Sequence, residues 1–273
     1  MGTTRRRMLA LTAFTALAVG AVPALSWGPE GHREIGEKAI DSLRDPLKEF
    51  FEDREETFYE LLDDPARSRN TAHFYLERYD EFPFWDVPAT RELALRRFSE
   101  EEIQENGDAL WRLHEAYDAL VDAFAEADFE LVLERASDVA WLVGEVGVPP
   151  NISAAGDGQA TEQDGLARRF DTQLIEIFAD EMRVRDSAAV YIDRPHEFIR
   201  SLPLKAHIWV DNISFTDAMS RRGVAGYDRF YMDGMWNELG GLIGALMTDA
   251  AGDTASLWYT AWVAAGRPEF PET

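Results

Sequence analysis

The stretch WLVGEVGVPPNISAAGDGQATEQDGLARRFD, Trp141–Asp171, decides how this chain is read. Its first part completes a helical pattern that opens after Asp128, a residue suited to accept the first free N–H groups, and stops at Gly147 ahead of Pro149 and Pro150. A loop rich in Gly, Ala, Ser and Asp follows to Asp164, and a second helix is expected over 164–184. Trp141 and Glu145 lie four apart on the first helix, Ala167 and Asp171 four apart on the second. Residues at i and i+4 share a helix face, so each pair projects into the space between the two helices. The stretch contains no histidine.

Working outward, helical spacing recurs and strand-like alternation is nowhere sustained, so the expected fold is an all-α, single-domain multi-helix bundle. Pro29 suits the first turn of a helix running to about Leu43, with Gly31 and His32 on its opening turn. Further helices are expected over 46–62, 99–126, 129–147, 195–221, 228–249 and 253–265, with 65–90 irregular. Leu239-Gly240-Gly241-Leu242-Ile243-Gly244 reads as close helix packing rather than a phosphate loop.

Residues 1–26 form a separate unit, with Arg5, Arg6 and Arg7, an apolar run from Met8 to Leu25 and a small-residue exit before Trp27. That layout reads as a secretory signal, with a twin-arginine cast, and places the protein in the periplasm or outside the cell; an uncleaved anchor is the alternative. Residues 27–273 are the expected helical domain, with no membrane span once the leader is gone. There is no cysteine, so metal ligands must come from His, carboxylate or backbone donors. The net charge of −24 makes the surface repel phosphate backbones, so nucleic acid is disfavoured as a partner.

The chain resembles the zinc-dependent phospholipase C and single-strand-specific nuclease superfamily, in its bacterial secreted branch. The resemblance rests on WGPEGHREIGEKAI (Trp27–Ile40), AHFYLERYDEFPF around His73, GDALWRLHEAY around Trp111, the stretch from Trp141 to Asp171, and LWYTAWVAAGRPEFP from Leu257, in that order. It implies an exported phosphodiester hydrolase of helical fold that acts on phospholipid or nucleic acid through three zinc ions. It further implies that Trp27, through its free amine and carbonyl, and His32, His73, Glu145 and Asp171 stand at metal positions, with Glu60 or Asp64 as the carboxylate upstream of His73. Trp141, Asn151 and Ala167 stand where the family has zinc-binding histidines, and Glu145 stands for an Asp.

Trp141 and Ala167 have no lone pair for zinc, so the metal set from Asn151, Ala167 and Asp171 keeps one good donor. The set around His73 keeps two or three, and the one around Trp27 and His32 is fullest. Zinc at reduced number and no metal at all are both open, and in the metal-free case His32 and Glu145 form a polar contact in the bundle centre. Without metal, Glu145 and Asp171 repel, raising a carboxyl pKa or recruiting Arg168 or Arg169. Three functions follow: a diverged member with weak or lost phosphodiester hydrolysis, an active phospholipase C-like hydrolase with one or two zincs, or a binding protein reusing the cleft. Glu145 and Asp171 are the candidate catalytic carboxylates, and a metal-free pair of them suits acid–base work such as glycoside hydrolysis.

Other residues carry plainer expectations. His114 reads as a surface or packing histidine, while His196 and His207 have no partner at ligand spacing. Asp138 reads as exposed. The aromatics Phe74, Tyr75, Tyr79, Phe82, Phe84 and Trp85 suit either a cleft wall or packing.

Overall fold

The computed structural model describes residues 27–64, 73–224 and 226–271. The expected leader, residues 1–26, lies outside them. Every regular element among the described residues is helical, and none of these helices is long and apolar enough to cross a membrane.

Helix α1 (Gly28–Asp41) starts at Pro29 and buries Gly28, Gly31, His32, Ile35, Gly36, Ala39 and Ile40, the single stripe that a 3.6-residue period produces. The helix expected over 46–62 is two, α2 (Leu47–Glu52) and α3 (Glu55–Leu62). The turn at Asp53 and Arg54 lets Phe51 and Phe58 pack on one indole, Trp258, at 4.5 and 5.4 Å between ring centroids. Two short turns, α4 (Leu76–Tyr79) and α5 (Arg91–Ala94), interrupt the irregular region.

The helix expected over 99–126 is also divided, into α6 (Glu100–Asn106) and α7 (Ala109–Glu126). Ser99 and Glu102 close a capping box at the start of α6. Gly107 makes the break: its φ is 86°, and a Cβ there would lie 1.9 Å from the His73 carbonyl oxygen. Only glycine lets that backbone approach occur.

Helix α8 (Phe129–Val146) is capped by Asp128 and buried all round from Val139 to Val146, so it is the central rod of the bundle. It packs on α1, α3 and α7. The chain then makes a short turn, α9 (Pro149–Ile152), and α10 (Leu166–Arg168) leads through a π-helical bulge, Arg169–Gln173, into α11 (Leu174–Phe178). Helix α12 (Pro195–His207) packs on α7, α8 and α9, and α13 (Val210–Ser220) follows where one helix from 195 to 221 was expected.

Helix α14 (Arg229–Ala264) runs 36 residues, about 54 Å at 1.5 Å per residue, through the expected break near residue 250. Gly252 does not stop it because that glycine serves a groove. Residues 182–193 form an extended strap along α14, and a Cβ on Gly252 would lie 2.4 Å from Ser187 Oγ, one on Gly244 2.8 Å from the Arg183 carbonyl oxygen. Gly244, Thr248, Gly252, Ser256 and Thr260 recur every four residues, on one face. Backbone N–H groups of Arg185, Val190 and Ile192 donate to the hydroxyls of Thr248, Ser256 and Thr260, and those of Ser187 and Ala189 to Ser42, just past the end of α1. Gly244 thus serves packing against a strap, not against a second helix.

Candidate functional site

The site lies where the start of α1 crosses the end of α8. Trp27 is buried and its indole Nε1 donates to the Gly144 carbonyl at 3.0 Å, which fixes the two helices together. Gly144 is the notch that makes this possible, since a Cβ there would stand 2.9 Å from His32 Cε1. His32 Nε2 donates to Glu145 Oε1 at 2.9 Å, and Asn151 Nδ2, from α9, donates to Glu145 Oε2 at 2.9 Å. Trp141 lies stacked on the His32 ring, 6.0 Å between centroids, and the Arg112 guanidinium lies over the Trp141 ring at 5.6 Å from its centroid.

Asp171 sits in the π bulge, fully buried. Burial pushes its carboxyl well above the usual carboxylate range, and the neighbouring charges of Glu145 and Asp157 push it the same way, against a bond from Thr172 Oγ1 at 2.9 Å. Its Oδ2 has no hydrogen-bond partner among the described residues. His73 borders the same region: Nε2 donates to the Glu105 carbonyl at 2.9 Å, and burial lowers its pKa although Asp108 and Glu145 oppose that. The Phe74 N–H donates to the Asn151 carbonyl, tying the His73 segment to α9.

Trp27, His32, Trp141, Glu145 and Asn151 therefore meet, with Asp171 and His73 within electrostatic reach of Glu145. Ala167 is buried, and its N–H donates to Asp157 Oδ1 at 3.2 Å, so Asp157 is the carboxylate that sequence reasoning missed. Glu60 and Asp64 are both exposed, Glu60 on the side of α3 away from its buried Phe58, Tyr59 and Leu62. Neither joins the cluster. No group of three or more His, Asp or Glu among the described residues is arranged to hold a metal ion.

The donor chemistry agrees poorly with a three-zinc cluster. Both Glu145 oxygens already accept bonds from protein. His32 Nδ1, the unpartnered ring nitrogen, is pressed toward Gly144, where a Cβ would be 3.1 Å away. The arrangement is a closed polar chain, His32–Glu145–Asn151, roofed by an indole.

Several expectations need correction. Arg169 is not recruited by Glu145 or Asp171. It is buried beneath Tyr227 and pairs with Asp217 on α13 through Nε (3.2 Å) and Nη2 (3.0 Å), where Gln163 Nε2 (2.7 Å) and the Tyr231 hydroxyl also donate. Of the two readings of His114, packing holds: it is buried, and its Nδ1 lies 2.9 Å from His196 Nδ1. His196 also reaches Asp118, and His207 Nε2 donates to Glu77 at 2.8 Å. Asp138 is half-buried and bonded to Arg135 at 2.7 Å. Among the aromatics Phe74, Tyr79 and Phe84 are core, whereas Phe82 and Trp85 are at least 80% exposed.

Searches against protein-family models and against curated proteins give no match to the chain.

Proposed function

We propose that the chain is an exported, diverged member of the zinc-dependent phospholipase C and nuclease superfamily, with that family's helical fold, in which phosphodiester hydrolysis is weak or lost. The observation that carries this reading is the state of Glu145: a carboxylate at a metal position of the resemblance has both oxygens occupied by His32 and Asn151. Two further points support it. Positions far apart in sequence that the resemblance equates with ligands gather at one crossing of α1 and α8, and Trp141, which cannot ligate zinc, lies there against His32. A hydrolase of this kind needs metal to lower the pKa of its attacking water and to neutralise phosphate oxygens. A phospholipid or small phosphodiester is the substrate class of any residual activity, since the acidic surface disfavours nucleic acid.

Protein beginning at Trp27 is the form to test, by zinc content per chain and by release of nitrophenol from bis(4-nitrophenyl) phosphate with zinc added. The expected result is zinc well below one per chain and no turnover above buffer. Close to three zincs with turnover would overturn the reading. Restoring Trp141→His, Asn151→His and Ala167→His together is expected to raise zinc affinity sharply, and no gain would mean that the equated positions are wrong.

A further inference from the structure

A cleft of about 510 Å³ opens between α5, α7 and the first turn of α12. Trp111 and His114 from α7 and His196 from α12 stand in its wall. His196 Nε2 donates to Asp118 Oδ1 at 3.2 Å, which leaves His196 Nδ1 bare in the neutral ring. That nitrogen faces His114 Nδ1 at 2.9 Å, a distance that requires one N–H and one lone pair. The neutral pair is then a directed chain, His114 to His196 to Asp118, which ties α7 to the start of α12. The remaining atom, His114 Nε2, is buried and has no partner among the described residues.

We propose that His114 and His196 form an acid-sensitive latch that holds the first turn of α12 against α7 at neutral pH and releases it when both rings are protonated. Proton counting gives the reason. One added proton is accommodated, because His196 can donate from both nitrogens at once, to Asp118 and to His114. A second is not, since two N–H groups and two cations would then oppose each other at 2.9 Å.

The surroundings set where the second proton binds. Burial, then the charges of His196 and Arg200, hold the His114 pKa down to about 4. The groups facing the pair are Asp118, Glu115 and Tyr117 on α7, Glu197 and Arg200 on α12, and Arg91 and Glu92 on α5. Arg91 is paired with Glu100 and Asp108, Glu92 with Arg96, and Glu197 with Arg194, leaving Arg200 as the cation and Asp118 and Glu115 as the anions beside the two rings. A buried histidine with a lowered pKa stabilises the closed form fully above its ordinary value near 6.5, and that contribution is lost as pH falls toward 4.

Amide hydrogen exchange, divided by the intrinsic rate at each pH, tests the latch in the intact chain. Protection of residues 197–201 is expected to fall roughly tenfold or more between pH 7 and pH 4.5, while that of α8 stays level. His196→Gln, on the half-exposed rim, removes the opposing cation but leaves His114 buried, so the step should shrink several-fold. His114→Phe should abolish the step. A flat wild-type profile, a step of undiminished size in His196→Gln, or a loss in α8 that keeps pace with α12 would each overturn the proposal. If His114→Phe does not fold, the His196→Gln comparison decides alone.

Discussion

Asp217 and Asp171 are both fully buried carboxyls, and they are treated in opposite ways. Asp217 is met by the Arg169 guanidinium, the Gln163 amide and the Tyr231 hydroxyl. Asp171 accepts a side-chain bond from Thr172, has an unpartnered Oδ2, and lies near two further carboxylates, Glu145 and Asp157. Burial alone therefore says little about the charge of a group; the donors that converge on it decide. In the first region the cation comes with the chain. In the second, a proton compensates where the family resemblance would put metal. Glu145 is an intermediate case, supplied with two side-chain donors, His32 and Asn151.

The contrast is broken most strongly from the Asp217 side. Arg169→Met strands a buried carboxylate and also frees the loop carbonyls of Gln163 and Asp164 that Arg169 holds, so unfolding in urea at pH 7 should show a loss of about 3–5 kcal/mol. Asn151→Ala tests the intermediate case: it removes one of the two donors to Glu145 and should cost roughly 1–3 kcal/mol by the same measurement. A change below a few tenths would mean that Glu145 is satisfied without it.

Asp171→Asn sharpens the contrast with the smallest effect. An acid whose folded pKa is raised contributes fully below its unfolded value near 4, and that contribution is lost as pH rises through the folded value. The wild type should therefore lose stability on the alkaline side of that window relative to Asp171→Asn, and the variant should be as stable as the wild type or more so at pH 7. Thermal midpoints from pH 4 to pH 9 measure this. A variant that is markedly less stable at pH 7 would show that Asp171 is ionised and usefully bonded.

The all-helical character was legible because amphipathic spacing, Pro29 and Asp128 act within a single turn of chain. The spacing of Trp141 with Glu145 likewise fixed which residues share a face, and His32, Glu145 and Asn151 do come together. What was not legible depends on partners distant in sequence. Gly252 reads as a breaker in isolation, yet it is the notch for Ser187, 65 residues away, and the helix passes straight through it. Gly107 has the opposite history, ending a helix because the His73 backbone needs its space. His114 has no partner at ligand spacing in the sequence, and α12 brings His196 to it across 82 residues; Arg169 stands two residues before Asp171, and α13 supplies Asp217 to it instead. Gly144 was the one missed residue with a local signal, a glycine immediately before Glu145 on a helix already under suspicion.

The strap over α14 has a consequence for the order of assembly. Each N–H bond described for residues 185–192 leaves the segment, to hydroxyls of α14 or to Ser42. A chain piece with no internal bonding cannot nucleate shape by itself, so it gains its form only after the two helices that supply those acceptors have met. During synthesis, residues 182–193 emerge well before α14 does, and they must wait unstructured for a docking rail that the ribosome has not yet made.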